Sequence, residues 1–342
     1  MMPSVSVLID TYNHERYLEE AINSVLQQED LGNATLEIVV IDDGSTDRTG
    51  ELIQSFGDRV KYYYKPNGGQ ASAFNFGIPL CCGEIICFLD GDDWWHPRKI
   101  RTVLDAFSAD TARIAVGHSI IEVDEVTESS VRVGPQNILS VNFGAKSSIE
   151  LFHRFACCLG TSRLAVRRSV AFALLKIPDK LVFEADEYMF TLLPASGEVA
   201  ILPDALTYYR IHGNNLYQGS RNLPVRYEVD KKLIQRALIY ECLRTELPIE
   251  LRKRGCDGPL LNLLMEPIVV QASRLKLMTV GGTPVENYKS ERRAAALDER
   301  SSTLRKAVLL VSLGFTLILP PRVYFTLRAL YTNLLRRIGG IR

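Results

Sequence analysis

The chain has 342 residues, of which 46% are hydrophobic, and it carries 40 basic and 40 acidic side chains. This length and composition predict more than one domain with a substantial core, and they exclude disordered and collagen-like chains. The formal net charge of zero argues against a uniformly basic protein that binds nucleic acid. The charge is nevertheless unevenly placed, because eight of the basic residues and none of the acidic residues lie between positions 300 and 342.

Cysteine spacing and apolar runs predict the compartment. The seven cysteines include the adjacent pairs Cys81 with Cys82 and Cys157 with Cys158, and no C-x-x-C spacing occurs. This pattern fits neither a disulfide framework nor a zinc site, and it favours a reducing cytosol. No signal peptide is expected at residues 3–9, which form a short apolar run without a basic flank. The longest uncharged apolar run, 307–319, is also shorter than the roughly 20 residues of a membrane-spanning helix.

Short β-branched runs alternate with longer amphipathic runs up to residue 108, which predicts strands and helices of a parallel α/β sheet. The predicted strands, in chain order, cover 4–9, 36–41, 61–64 and 84–89, and the helices that follow them cover 15–28, 45–56, 70–80 and 97–108.

Beyond residue 110 the apolar pattern is weaker. It predicts strands over 114–123, 159–166 and 205–210 and a helix over 186–193. From residue 225 onward the apolar spacing is helical to the end of the chain, with interruptions at Pro and Gly.

Polar residues follow each of the first four predicted strands. The segments are 10–13 (D-T-Y-N), 42–45 (D-D-G-S), 65–70 (K-P-N-G-G-Q) and 90–93 (D-G-D-D). Each segment alone is weak evidence, because Asp, Asn and Gly are ordinary turn residues. Ligands of open parallel sheets bind outside the carboxyl ends of the strands, so all four segments at one edge predict a ligand site.

The fourth segment predicts a divalent cation. Asp90, Asp92 and Asp93 follow a wholly apolar strand, and their mutual repulsion is unfavourable unless a cation relieves it. Carboxylate oxygens suit Mg²⁺ or Mn²⁺, which usually also bind phosphate oxygens. The chain has neither a G-x-x-x-x-G-K-[S/T] nor a G-x-G-x-x-G motif, which counts against a P-loop enzyme and an ordinary dinucleotide-binding domain.

Four ordered segments resemble the motifs of a family 2 glycosyltransferase. They are V-S-V-L-I-D-T-Y-N-H, V-V-I-D-D-G-S-T-D, N-G-G-Q-A-S-A-F-N-F-G and F-L-D-G-D-D-W-W-H-P, and the resemblance covers about residues 4–107. It implies the GT-A fold, a Rossmann-like three-layer α/β/α mixed sheet, here with a helical C-terminal extension. It also implies an inverting enzyme that uses a nucleotide sugar.

The resemblance assigns site residues. Those expected to contact the nucleotide sugar are Asp10, Thr11, Tyr12, Asp42, Asp43, Lys65, Asn67, Asn75, Asp90 and Gly91. Among them, Asp43 is the expected contact to the nucleotide base, and Asp10 stands where the family often has proline. Asp90 and Asp92 form the D-x-D pair, with Asp92 as the favoured metal ligand, and the implied metal ligands are Asp92, Asp90 and His212. For His212 a phosphate contact, or an ordinary position in a surface loop, is the alternative.

A second acidic pair is similar to the one that opens a helix in this family, and the later Y-R-I-H at 209–212 is similar to its Y-R-x-H motif. The family pattern is Glu then Asp with the second residue as catalytic base, whereas here Asp186 precedes Glu187. Position therefore favours Glu187, with Asp186 as the alternative, and the helix dipole alone would also favour acids there. Trp94 and Trp95 are candidate acceptor-binding residues, because aromatic faces suit the apolar side of a pyranose, although core packing is an equal alternative.

These residues predict inverting, metal-dependent transfer from a nucleoside-diphosphate sugar, UDP-linked by analogy, to a hydroxyl acceptor on a glycan or lipid-linked glycan. Cell-surface glycan or polysaccharide synthesis is the expected setting, and no nucleic-acid partner is expected. One alternative is a nucleotidyltransferase, which would usually need a basic, glycine-rich loop near the first strand. Another is a non-catalytic protein of nucleotide-sugar binding or assembly, which the reversed acidic pair leaves open.

The acid-free tail raises a membrane hypothesis. A catalytic domain is expected over residues 1–222, with a nucleotide-sugar half to 110 and an acceptor half from 111, followed by a helical extension over 223–299 and a basic apolar tail over 300–342. Such a tail can lie on an anionic membrane surface, and the alternative is a helical hairpin packed on protein. The expected location is therefore cytoplasmic, with peripheral attachment to the inner face of the cell membrane as the hypothesis.

Overall fold

The computed structural model describes residues 4–212, 215, 226–297, 313, 315–321, 323–325 and 327. These residues fall into two units, one within Met1–Gly219 and Ile249–Leu261 and the other within Ser220–Pro248 and Asn262–Arg342. The domain boundaries expected from the sequence stay a prediction. The candidate site residues all lie in the first unit.

Four parallel strands form one half of the sheet in the first unit. They are β1 (Ser4–Thr11), β2 (Thr35–Asp42), β3 (Lys61–Tyr64) and β4 (Ile85–Asp90), in the spatial order β3-β2-β1-β4. The intervening helices are α1 (Leu18–Leu26), α2 (Thr49–Gln54) and α3 (Gln70–Gly77), and α4 (Lys99–Ala109) follows β4. The strand and helix predictions for this half are confirmed, and the register places Asp10 beside Asp90.

Helix α1 shows why the apolar pattern worked. Leu18, Ala21, Ile22 and Val25 follow helical spacing, and all four are buried. Full burial of a Leu, Ile or Val side chain contributes about 1.5–3 kcal/mol each. The helix begins at Leu18 rather than at residue 15, because the preceding backbone is bonded to the 45–49 loop, for example through the His14 N–H and the Thr49 hydroxyl at 3.0 Å.

The other half of the sheet has mixed strand directions. Its strands are β5 (Trp94–Trp95), β6 (Arg113–Asp124), β7 (Ser129–Val133), β8 (Leu139–Val141), β9 (Ala165–Arg167) and β10 (Glu198–Ile211). The order continues from β4 through β9, β6 and β10 to β5, and β9 runs antiparallel to both of its neighbours. Three helices belong to this half, α5 (Lys146–Phe155), α6 (Arg168–Ala173) and α7 (Ala185–Ser196).

The strand predicted over 159–166 is mostly wrong. Residues Thr161–Arg163 form a 3-10 turn, here called the 161–163 turn, and only β9 is extended. The Leu164 N–H donates to the Thr161 carbonyl oxygen at 3.1 Å, which closes the turn. Thr161 and Ser162 are both buried, so the turn brings two hydroxyl side chains into the interior beside the end of β4.

Helices predominate in the rest of the described chain, as the apolar spacing predicts. They are α8 (Arg226–Lys253), α9 (Gly258–Thr279) and α10 (Pro284–Leu297). In the second unit Tyr324 and Phe325 pack with Leu277, and Glu291 bonds both the Arg274 guanidinium at 2.7 Å and the Tyr324 hydroxyl at 3.3 Å. Within the described ranges, no helix combines the length and apolar character needed to cross a bilayer. The eight basic residues of the tail all lie outside the described residues.

Gly69 generates a stability prediction, because it has a left-handed backbone (φ +81°) and a Cβ there would lie 2.5 Å from the Val182 carbonyl oxygen. Gly57 has a similar φ of +58° with no atom within 4 Å of a Cβ. Gly57→Ala should therefore cost only the left-handed strain of about 1–2 kcal/mol. Gly69→Ala should lower the free energy of unfolding further, because Val182 must also move. Chemical denaturation of both variants measures the difference, and equal losses would contradict the close contact.

Candidate active site

A group of buried carboxylates lies at the carboxyl edge of the sheet. Asp10 is the last residue but one of β1, and Asp90 ends β4. Burial first, and then the charges of Asp92 and Asp186 among others, raises the pKa of Asp10 and of Asp90 well above the usual value. Asp10 Oδ1 has no hydrogen-bond partner among the described residues. This edge therefore holds more negative charge than the protein around it neutralises.

Two histidines lie beside Asp92, the third carboxylate of this group. His212 Nε2 lies 3.1 Å from Asp92 Oδ2, and His14 Nε2 lies 3.9 Å from the same oxygen. Burial alone would raise the pKa of Asp92, but the two histidines outweigh it and the pKa is lowered. Gly91 permits this approach, because a Cβ there would lie 2.7 Å from both His14 Nδ1 and Thr11 Oγ1. Asp92 and His212 are thus together, as the resemblance implies.

Arg210 is hydrogen-bonded to the 90–93 segment. Its backbone N–H donates to Asp93 Oδ1 and its Nε to the Asp92 carbonyl oxygen, each at 2.9 Å. The guanidinium also pairs with Glu125 at 3.0 Å and lies over the Tyr17 ring, 4.8 Å from its centroid. The side chain is 11% exposed, so these contacts hold the 90–93 segment in a largely dry environment.

The first turn of α7 carries the second acidic pair. Asp186 Oδ2 accepts hydrogen bonds from the Thr161 backbone N–H at 3.1 Å and from its hydroxyl at 3.2 Å. The charge of Asp186 is also among the causes that raise the pKa of Asp10 and Asp90, so its carboxylate acts on the same site. Glu187 follows in the helix, and its N–H donates to Asp186 Oδ1 at 2.9 Å.

Gln70 and Ser162 are site residues that the sequence reasoning missed. Gln70 Nε2 lies 3.1 Å from Thr161 Oγ1 and 3.5 Å from Asp90 Oδ1, and its carbonyl oxygen accepts from the Ala185 N–H at 2.9 Å. The Ser162 hydroxyl accepts from the Asp90 N–H and donates to Asp90 Oδ2, each at 3.1 Å. The N-G-G-Q segment was a usable signal for Gln70, whereas Ser162 lay inside a predicted strand.

The expected nucleotide pocket contains two aspartates, Asp42 and Asp43, whose carboxylates are bonded to neighbouring parts of the protein. Asp43 accepts hydrogen bonds from the Gly68 N–H at 3.0 Å and the Gly69 N–H at 2.6 Å, and it forms an ion pair with Lys65. Asp42 accepts from the Ser45 N–H at 2.8 Å and from the Tyr62 hydroxyl at 3.0 Å. Burial and this carboxylate raise the pKa of Tyr62 to about 12. The bonds of Asp43 join the 42–45 segment to the 65–70 segment on this side of the site.

The remaining predicted contacts divide by exposure. Thr11 is buried, whereas Tyr12 and Asn67 are exposed at the surface of this edge. Asn75 is half-buried, and its amide is bonded to the 176–177 segment. Its Nδ2 donates to the Ile177 carbonyl oxygen at 2.8 Å, and its Oδ1 accepts from the Ile177 N–H at 3.0 Å. These bonds fix the orientation of Asn75, and its contact with the nucleotide sugar stays a prediction.

The surroundings of Trp94 and Trp95 bear on the predicted acceptor site, which stays a prediction. Trp95 is 2% exposed, its Nε1 donates to the Ser162 carbonyl oxygen at 3.0 Å, and Lys99 Nζ lies 3.6 Å from its ring centroid. Core packing therefore describes most of this ring. Trp94 is half-buried and stacks on Tyr208 at 5.1 Å, with the Arg210 guanidinium over it at 4.4 Å. Trp94 lines a cavity of about 580 Å³ beside α1, but its ring already packs against protein.

Across the described residues, no group of three or more His, Cys, Asp or Glu side chains forms a complete metal site. Asp92 and His212 offer an oxygen and a nitrogen next to each other, and the unpartnered Asp10 Oδ1 lies in the same carboxylate group. Magnesium and manganese commonly use one or two protein ligands together with substrate phosphates. The residues present fit such a shared site.

Comparisons with known proteins agree on one family. The model for "Glycosyl transferase family 2" matches residues 6–170. An uncharacterized glycosyltransferase of Nostoc sp., alr2836, is 36% identical over 224 residues, which cover 63% of this chain and 67% of that protein. An uncharacterized glycosyltransferase of Rickettsia typhi, RT0329, is 37% identical over 123 residues. The match covers 35% of this chain and only 38% of the Rickettsia protein.

Solved structures extend the comparison to the fold. Crystal structures of S. aureus TarS 1-349, in complex with UDP and with UDP-GlcNAc, align with a TM-score of 0.58 over 98% of this chain and 92% of theirs. The sequence identity is 16%, so this likeness concerns the fold alone.

Proposed function

Because the chain belongs to glycosyl transferase family 2 and is a glycosyltransferase, we propose that it takes its sugar from a nucleoside-diphosphate donor, with UDP as the nucleotide. Polar side chains at the ends of β1, β2, β3 and β4 support this donor class, because open α/β sheets bind ligands there. The UDP and UDP-GlcNAc complexes of TarS, which shares the fold, support it as well. Because the family and the relatives are glycosyltransferases, we prefer this function to the nucleotidyltransferase and to the non-catalytic protein.

The observation that carries the proposal is the position of Asp186. It is bonded through Thr161 to the same turn whose Ser162 holds Asp90, so the two carboxylates belong to one connected site. We therefore assign the base to Asp186 in preference to Glu187, which the order of the acidic pair favoured. Asp186 removes the proton from the acceptor hydroxyl as its oxygen attacks the anomeric carbon. The bond to the diphosphate oxygen breaks in the same step, and the configuration inverts.

Asp92 and His212 would hold a divalent ion, with Asp90 beside them. Mg²⁺ or Mn²⁺ bound there would supply positive charge against the negative charge that grows on the departing diphosphate. The chain itself orients the ligands through Arg210, which bonds the Asp92 backbone, and Gly91 and Asp93 of the same segment are buried. A glycan or lipid-linked hydroxyl in cell-surface polysaccharide synthesis is the proposed acceptor class.

The base assignment predicts different outcomes for two neighbouring variants. Asp186→Asn should lower sugar transfer by about 100-fold or more, because the amide cannot accept the acceptor proton, while UDP binding persists. Glu187→Gln should lower it far less. The measurement is UDP release from a panel of UDP-sugars with Mn²⁺, with UDP binding followed by calorimetry. A large loss in Glu187→Gln with an active Asp186→Asn would return the role to Glu187.

The metal proposal predicts loss of manganese binding in Asp92→Asn, which keeps the size of the side chain and removes its charge. Sugar transfer should fall by at least about 100-fold. Replacing a group that only hydrogen-bonds to a metal ligand already lowers metal affinity or activity about 10–100-fold, and Asp92 is a proposed ligand itself. Calorimetric titration with Mn²⁺ in the presence of UDP tests this. The control is Asp105→Asn, a surface carboxylate of α4 that is 57% exposed. Near-normal manganese binding and activity in Asp92→Asn would remove the metal from the proposal.

We also propose that the tail region attaches peripherally to an anionic membrane surface. The described part of the tail exposes five large apolar side chains, while Tyr324 and Phe325 hold the segment against Leu277. The exposed residues are Phe315, Leu317, Ile318, Val323 and Leu327. An exposed apolar segment in an acid-free, basic stretch of sequence suits an anionic lipid surface. Peripheral attachment on the inner face of the cell membrane follows from this proposal.

Vesicle flotation tests the attachment. The wild-type protein should float with vesicles of phosphatidylglycerol and stay behind with phosphatidylcholine alone. Ile318→Glu, at a side chain that is 76% exposed, should weaken flotation because it places a charge among the apolar residues. Val126→Glu is the matched control, since Val126 is 62% exposed in the first unit. Wild-type protein that stays behind with both kinds of vesicle would end the proposal.

A further inference from the structure

A chain of hydrogen bonds connects the donor side of the site with the proposed base. Thr161 donates to Asp186, and Gln70 Nε2 contacts both Thr161 Oγ1 at 3.1 Å and Asp90 Oδ1 at 3.5 Å. The adjacent Ser162 hydroxyl bonds Asp90 directly at 3.1 Å. Asp90 and Asp186, far apart in sequence, are thus held by two neighbouring hydroxyls of the 161–163 turn and by one amide.

The direction of these bonds is determined by the backbone. The Gln70 carbonyl oxygen accepts from the Ala185 N–H at 2.9 Å, which turns the Nε2 group toward Thr161. Because the Nε2 amide group is a donor only, Thr161 Oγ1 must accept its hydrogen bond. The hydroxyl proton of Thr161 is then free to donate to Asp186 Oδ2. With the Thr161 backbone N–H on the same oxygen, two donors set the rotation of the Asp186 carboxylate.

The turn itself is anchored from the interior. The Ser162 carbonyl oxygen accepts from Lys99 Nζ at 2.6 Å, from the Thr207 hydroxyl at 2.6 Å and from Trp95 Nε1 at 3.0 Å. All three donor side chains are fully or almost fully buried. A carbonyl held by three donors cannot rotate without breaking them, so the hydroxyls of the turn are presented from a fixed position.

We propose that Thr161 and Gln70 are positioning residues of the transfer step, which orient Asp186 relative to the donor held at Asp90. The inference rests on the proposed role of Asp186 as base. Positioning residues of this kind act through Asp186, so their removal should lower kcat and leave the KM for the donor nearly unchanged.

Thr161→Val tests the proposal, because it keeps the shape of the side chain and removes the donor to Asp186. For the UDP-sugar that the wild-type protein turns over fastest, kcat should fall by about tenfold or more, as expected for a lost hydrogen bond to a charged group. Donor KM should change by less than about threefold, and Thr161→Ser should restore most of the rate. Thr191→Val is the control, because Thr191 is a buried threonine of α7, the helix that carries Asp186. A Thr161→Val effect on KM alone, or no rescue by Ser, would overturn the inference.

A double-variant cycle tests the connection itself. If Gln70 acts through Thr161, Gln70→Met together with Thr161→Val should lose little more activity than the worse single variant. Losses that multiply would show independent roles and would overturn the proposal. Asp186→Asn, assayed in parallel, distinguishes a failure of the base assignment from a failure of the positioning role. An active Asp186→Asn ends the proposed base and this inference with it, whereas an inactive Asp186→Asn beside a fully active Thr161→Val ends only the inference.

Discussion

Mutual repulsion of buried carboxylates is the constraint on which the rest of the site depends. Asp10 and Asp90 lie side by side at one sheet edge, where burial and the charges of Asp92 and Asp186 disfavour their negatively charged forms. The chain offsets part of this cost with the histidines beside Asp92 and with directed hydrogen bonds to Asp90 and Asp186. The remaining excess of negative charge favours a cation and a site kept ready for it.

The same constraint explains the local geometry around the carboxylates. Gly91 has no side chain because His14 and Thr11 occupy the space in which a Cβ would lie. Arg210 fixes the backbone of the 90–93 segment and at the same time packs against Trp94. Aromatic residues after the acidic segment thus support its backbone. Trp95 is buried, in line with the core-packing alternative, whereas Trp94 is half-buried and lines the cavity beside α1.

Much of the fold follows from local sequence patterns, and the GT-A fold expected from the motifs is confirmed. Apolar periodicity placed β1 and β4 because these strands are almost wholly buried and read as continuous apolar runs, whereas the short β3 is only partly buried. It failed at residues 159–163, where Leu159 is buried in one 3-10 turn and Thr161 and Ser162 are buried in the next. Motifs brought Asp90, Asp92, Asp186 and His212 to attention. Ser162 and Thr161 were missed because their role depends on partners such as Asp90 and Asp186, which are distant in sequence.

The anchoring of the Ser162 carbonyl has a consequence for the speed of folding. Two of its donors lie 63 and 45 residues away in the chain, at Lys99 in α4 and Thr207 in β10. Chains whose native contacts join residues distant in sequence fold more slowly, because long loops must close before those contacts form. The bonds that fix the 161–163 turn beside Asp90 and Asp186 are contacts of this kind, so the fixed geometry of the site and slow folding have the same structural origin.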